Sequence, residues 1–167
     1  MTVRVSVNYN DPRWKRCNLE GYVTLLASKV IQIHQMRLTN FSLSLLACSD
    51  AKIRELNKIY RKKNKATNVL AWPAMDDLFY ADQDCRSQDK NNYLFLGDIA
   101  ISYDRCSREA SFQNIQFNRY CCKLLVHAIL HLLGYDHDIS VRTSKMQIME
   151  TRALNSVLTN RPKLNNI

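Results

Sequence analysis

The chain has 167 residues, 46% of them hydrophobic and 23% charged. That is enough apolar material for one core, and it excludes a globally disordered chain. The net charge of +9 points to polyanionic partners, with RNA, DNA and an anionic membrane surface as the classes it favours over cationic or neutral ones.

Val3 to Tyr9, VRVSVNY, alternates apolar and polar residues as a half-buried strand does. Asp11-Pro12 reads as a helix start, followed by Leu19, Tyr22, Val23, Leu26, Val30 and Ile33 at helical spacing. FSLSLLAC, Phe41 to Cys48, is a second strand. Ser49 or Asp50 caps the next helix, whose apolar face carries Ile53, Leu56, Ile59 and Tyr60. TNVLAW, Thr67 to Trp72, is a short strand stopped by Pro73. Ala74 to Asn92 has five aspartates and no periodicity, which predicts an exposed, flexible acidic loop. YLFLGDIAIS, Tyr93 to Ser102, is a strand with a bulge expected at Gly97; alternation does not fix the face of Asp98.

Two helices follow, at about 117–133 and 140–158, the second with Met146, Met149, Ala153, Leu154 and Val157 at core spacing. The tail, about 159–167, reads as loose. The order β-α-β-α-β-β-α-α predicts a single α+β domain over residues 1–167, a mixed sheet packed with helices. No apolar run is long enough to span a bilayer, and the N-terminus has no apolar signal core. The six cysteines include no C-x-x-C pair. The expectation is a cytoplasmic protein with reduced, mostly buried thiols and no membrane partner.

Three of the four histidines fall in HAILHLLGYDH, His127 to His137. His127 and His131 are four apart and share a helix face. Gly134 stands where a helix ends in a left-handed residue, after which the chain can return His137 over that face. Three imidazoles converging at a helix end make a zincin-like metal site, with a fourth position left for water. The plainer reading is a pair of buried, hydrogen-bonded histidines in helix packing; the third histidine after the glycine favours metal. The spacing H-x-x-x-H-x-x-G-x-x-H is also that of metzincin proteases. Those carry a glutamate directly after the first histidine as general base. Ala128 occupies that position and cannot move a proton, which disfavours a peptidase.

These residues resemble the YbeY family of rRNA maturation factors. The family signature H-G-x-L-H-L-x-G-Y-D-H is matched by HAILHLLGYDH except at Ala128. LNKIYRKKNKATNVLAWP, Leu56 to Pro73, is similar to the family block L-N-x-x-Y-R-x-K-x-x-x-T-D-V-L-S-F-P. LGDIAIS, Leu96 to Ser102, is similar to its L-G-D-I-x-I-S strand. The resemblance implies one metal held by His127, His131 and His137, zinc or another divalent transition metal. It implies a single-strand-specific endoribonuclease acting at the 3′ end of the small-subunit rRNA and in ribosome quality control. Its partners would be rRNA, ribosomal subunits, ribosomal proteins and a ribosome-associated GTPase. It maps the family's functional arginine onto Arg61. From the residues alone, Arg61 and Lys62, Lys63 and Lys65 are equally cations favoured at a helix C-terminus or making phosphate contacts.

Asp136 and Asp138 flank His137 and are candidates to orient it, or serve the turn and its solvation. Lys63 is a candidate RNA contact. Asn68 stands where the family has aspartate, so any orienting role there falls to an amide. Trp72 and Tyr135 are either base-stacking platforms or packing residues, and His34 is read as surface or core, not a ligand. The chemistry these residues support is attack by metal-activated water while Arg61 clamps the scissile phosphate, or metal-assisted attack by the ribose 2′-hydroxyl. A non-catalytic rRNA-binding assembly factor with a structural metal is the alternative from another class.

Overall fold

The computed structural model describes residues 2–34, 40–75, 93–135 and 140–158. The expected acidic loop from position 76 on, the tail, and His137 with its neighbours Asp136 and Asp138 lie outside the described residues.

Among the described residues four strands form one mixed sheet: β1 (Thr2–Tyr9), β2 (Asn40–Cys48), β3 (Val69–Pro73) and β4 (Leu94–Ser102), in the order β1-β2-β4-β3. β1 pairs with β2 and β2 with β4 in parallel, and β3 runs antiparallel to β4 at the edge. Among the described residues five α-helices accompany it: α1 (Leu19–Ile33), α2 (Asp50–Arg61), α3 (Tyr103–Phe112), α4 (Phe117–Leu132) and α5 (Ser140–Leu158). This is the α+β arrangement expected, with strand limits within about two residues of the sequence reading.

The first helical stretch is not continuous. A 3-10 turn spans Pro12–Arg16, Cys17 is extended, and Asn18 restarts the chain as the cap of α1. Asp11 accepts the backbone N–H of Arg13 at 3.0 Å. Trp14, fully buried, donates its indole N–H to the Cys48 carbonyl at 3.1 Å. That anchor explains the break: the turn must stop to keep Trp14 in the core. Helix α3 was not foreseen. Its buried residues are only Cys106 and Ala110, too small and too few to register as an apolar stripe.

Alternation along each strand sorts the sheet into two faces. Val3 and Val5, Phe41, Leu43 and Leu45, and Leu96, Ile99 and Ile101 face the main core with α1, α4 and α5. Each such side chain, fully buried, contributes about 1.5–3 kcal/mol, so this layer holds most of the chain together. The other face carries a smaller cluster, Cys48, Ile53, Leu70 and Ala100, under α2. Helices α2 and α4 thus lie on opposite faces, and both contact β3.

Two details set the register near the candidate site. The β2–β4 pairing slips between Ser42 and Ser44, opposite Phe95 and Asp98. Gly97 sits in that bulge at φ 136°, where a Cβ would lie 2.1 Å from the Trp72 carbonyl oxygen. Only glycine fits, as the sequence suggested. At the other end of β4, Ser102 caps α3 and donates to Asp50 at 2.6 Å, while Asp104 of α3 accepts the backbone N–H of Asp50 at 2.9 Å. Ser49 occupies the N-cap of α2 without a side-chain cap bond; a carboxylate from α3 serves that helix start instead. Among the described cysteines, Cys48, Cys106, Cys121 and Cys122 are buried and Cys17 is half-buried, which matches the mostly buried thiols expected. None of the described helices is long and apolar enough to cross a membrane.

Candidate functional site

Helix α4 is amphipathic in an unusual sense: ten of its sixteen residues are buried, and the two histidines are half-exposed gaps in that surface. Its end is a Schellman motif. Gly134, at φ 90°, donates its N–H to the His131 carbonyl at 3.0 Å, and Tyr135 donates to the Leu130 carbonyl at 3.1 Å. Buried Tyr135 then seals the turn, its hydroxyl 3.2 Å from His34 Nδ1. Burial lowers the pKa of His34 below its usual value, which suits a neutral ring beside the tyrosine. His34 and Tyr135 are therefore packing partners, as read for His34, and Tyr135 is not a stacking platform.

His127 and His131 converge through their Nε2 atoms, 3.1 Å apart. That is hydrogen-bond distance, and two nitrogens bound at about 2.0–2.1 Å to a tetrahedral ion stand about 3.3 Å apart, so the separation also suits a shared ion. The pair also lies in the last two turns of α4, where the helix dipole favours positive charge. On its far side the His127 ring is held: Nδ1 is 2.6 Å from Glu150 Oε1 of α5. No cluster of three metal-ligating side chains occurs among the described residues; the third expected ligand, His137, is outside them. The sequence reading missed Glu150. Its signal was legible: Met146, Ala153 and Val157 are buried, and position 150 falls in the same helical stripe, an odd place for a carboxylate.

Ala128 is fully buried in the main core. The position that carries the peptidase glutamate in metzincins is here a packing position.

Asn68 is committed elsewhere. Its amide nitrogen donates to Glu109 at 2.8 Å, and its oxygen accepts the Val69 N–H at 2.8 Å. Tyr120 donates to the same Glu109 oxygen at 2.5 Å. Burial, then the Glu109 carboxylate, pushes the Tyr120 phenol up to about 12. An aspartate at 68 has no proton to give Glu109, so the amide is what this cluster requires.

Arg61 ends α2, exposed, beside exposed Lys58, Lys62, Lys63 and Lys65. Lys62 is left-handed, φ 56°, and closes the helix through the Asn57 carbonyl. Buried Asn57 also donates to the Lys65 carbonyl at 2.8 Å, so one hidden amide shapes the whole basic turn. Next to it, on the α2 face of the sheet, runs an open groove of about 550 Å³ lined by Ser6, Asn8, Ser44, Tyr60, Trp72 and Asp98 among others. Asp98 thus faces the groove, on the side opposite the α4 layer. Trp72 and Tyr60 meet edge to face, centroids 5.5 Å apart.

A family model described as Endoribonuclease YbeY matches residues 10–158. Curated relatives of that name include the protein of Cereibacter sphaeroides, 37% identical over 86% of this chain and 89% of the relative. That of Paracoccus denitrificans is 41% identical over 80% and 74%. A solution structure from Thermotoga maritima, 18% identical, superposes over 99% of both chains with a TM-score of 0.56, which supports the fold. With its histidine helix, its basic turn before β3 and these relatives, the chain belongs to the Endoribonuclease YbeY family.

Proposed function

We propose that the protein is a metal-dependent endoribonuclease that cuts single-stranded RNA, with the 3′ end of the small-subunit rRNA as its substrate in ribosome maturation and quality control. The observation that carries this reading is the paired Nε2 atoms of His127 and His131 at the end of α4, in a chain of a family named for endoribonuclease activity. His137 supplies the third ligand. The net charge of +9 suits an RNA partner. Ribosomal subunits, ribosomal proteins and a ribosome-associated GTPase are the partners proposed with it.

The three histidines hold one zinc, or another divalent transition metal, which when bound polarises a phosphoryl oxygen and lowers the pKa of water. The chain's own residues bind and orient the substrate. Arg61 presents a planar fork to two phosphate oxygens and offsets the charge that builds on the phosphorus centre. Lys63 and its neighbours bind flanking phosphates without reading sequence. Asp136 and Asp138, which flank His137 in the sequence, are proposed to orient it or to serve the turn.

The test offers one RNA sequence to the purified protein as single strand and as duplex, with and without chelator. Cleavage of the single strand alone, abolished by chelation, is expected. Tight RNA binding with no cleavage would replace this reading with the non-catalytic assembly factor. Arg61→Ala is expected to lower cleavage by about 10²–10³-fold with metal content retained; normal cleavage would remove Arg61 from the reaction. A product ending in a cyclic phosphate would assign the attack to the 2′-hydroxyl, and its absence from the earliest products to water.

A further inference from the structure

We propose that Glu150 is a positioning residue: through its bond to His127 it fixes that imidazole with Nε2 turned toward the ion. The proposal rests on the metal reading above and adds to it a residue from a different helix.

Glu150 Oε1 lies 2.6 Å from His127 Nδ1, and the Glu150 side chain is only 18% exposed. A carboxylate accepts and does not donate, so the ring places its proton on Nδ1. The neutral ring has one N–H, and its lone pair is then on Nε2. That is the atom 3.1 Å from His131 Nε2. Without Glu150 the ring could flip or carry its proton on Nε2, and either change removes the lone pair from the site.

The carboxylate also stands at an unusual position. It interrupts the stripe of Met146, Ala153 and Val157 that packs α5 onto the core. A carboxylate this far withdrawn from water needs a bonded partner, and the His127 ring is that partner. A group that both shields and aims a ligand fits that position. The arrangement also ties the metal edge of α4 to α5, 23 residues further along the chain.

The test uses the full chain, freed of metal and titrated with zinc and with cobalt, as wild type, Glu150→Gln and Glu150→Ala. ¹⁵N NMR of the metal-free wild type reads the His127 tautomer independently of any variant. The expected results are an Nδ1–H tautomer for His127, about 10–100-fold weaker metal binding for Glu150→Ala, and an intermediate loss for Glu150→Gln, whose amide oxygen still accepts. A simple α4–α5 tie would lower thermal stability in the variants and leave metal affinity unchanged. Three results overturn the proposal: an Nε2–H tautomer in the wild type, which holds even if Glu150→Ala fails to fold; Glu150→Ala binding metal as tightly as wild type; and wild type taking up no metal, which alone also removes the reading on which the proposal rests.

Discussion

Asn68 shows how one atom decides a position. An amide nitrogen donates to Glu109 where the family pattern has an aspartate. Asn68→Asp would set two carboxylates at hydrogen-bond distance beside the Tyr120 hydroxyl and break a bond that holds the start of β3. The expected loss is about 1–3 kcal/mol, read as a lower urea midpoint with an unchanged slope. An unchanged midpoint would mean that Glu109 turns away at no cost. The sequence placed Asn68 near the site by motif, but its partners come from α3 and α4, 41 and 52 residues away. Nothing local encodes them. Ala128 teaches the reverse: the absent general base was legible, and the structure adds that the position is buried.

At the scale of elements, the legible features were those written in local periodicity or in a special backbone angle. β1 and β2 alternate; α4 ends in the left-handed glycine its spacing demands. Gly97 is the clearest case. Gly97→Ala would drive a methyl into the Trp72 carbonyl at φ 136°, with an expected cost of at least about 3 kcal/mol. A melting temperature within a degree or two of wild type would show that the bulge relaxes. What escaped the reading was α3, whose contribution is polar. Its Asp104 closes the start of α2, and Arg105 and Arg108 reach Asp50. Such a network of single hydrogen bonds and ion pairs leaves no periodic trace, so it became visible only once α2 and α3 stood side by side.

Over the whole molecule, α2, which ends in Arg61, and α4, which carries His127 and His131, lie on opposite faces of the sheet, and both helices contact β3. The sheet order that brings them there, β1-β2-β4-β3, was not legible, because pairing partners are chosen by packing across the sheet. The buried acids of the interior set a second global property. Burial raises Cys48 from 9.0 to about 12, Cys122 from 9.0 to about 11, and Tyr120 from 10.0 to about 12. Each binds its proton more tightly folded than unfolded. Their contribution is therefore complete below about pH 9 and is lost as pH rises through the folded values. Stability should fall steadily from about pH 9 upward, and Tyr120→Phe should make the fall above pH 10 shallower. A flat alkaline profile would contradict their burial.

The account stands or falls on the histidines. Metal content and cleavage of single-stranded RNA, measured together on wild type and His131→Ala prepared side by side, test it most directly. The prediction is about one metal ion per wild-type chain, and in the variant the loss of metal and cleavage together. A variant that has lost its metal and still cuts RNA at the wild-type rate would contradict the account.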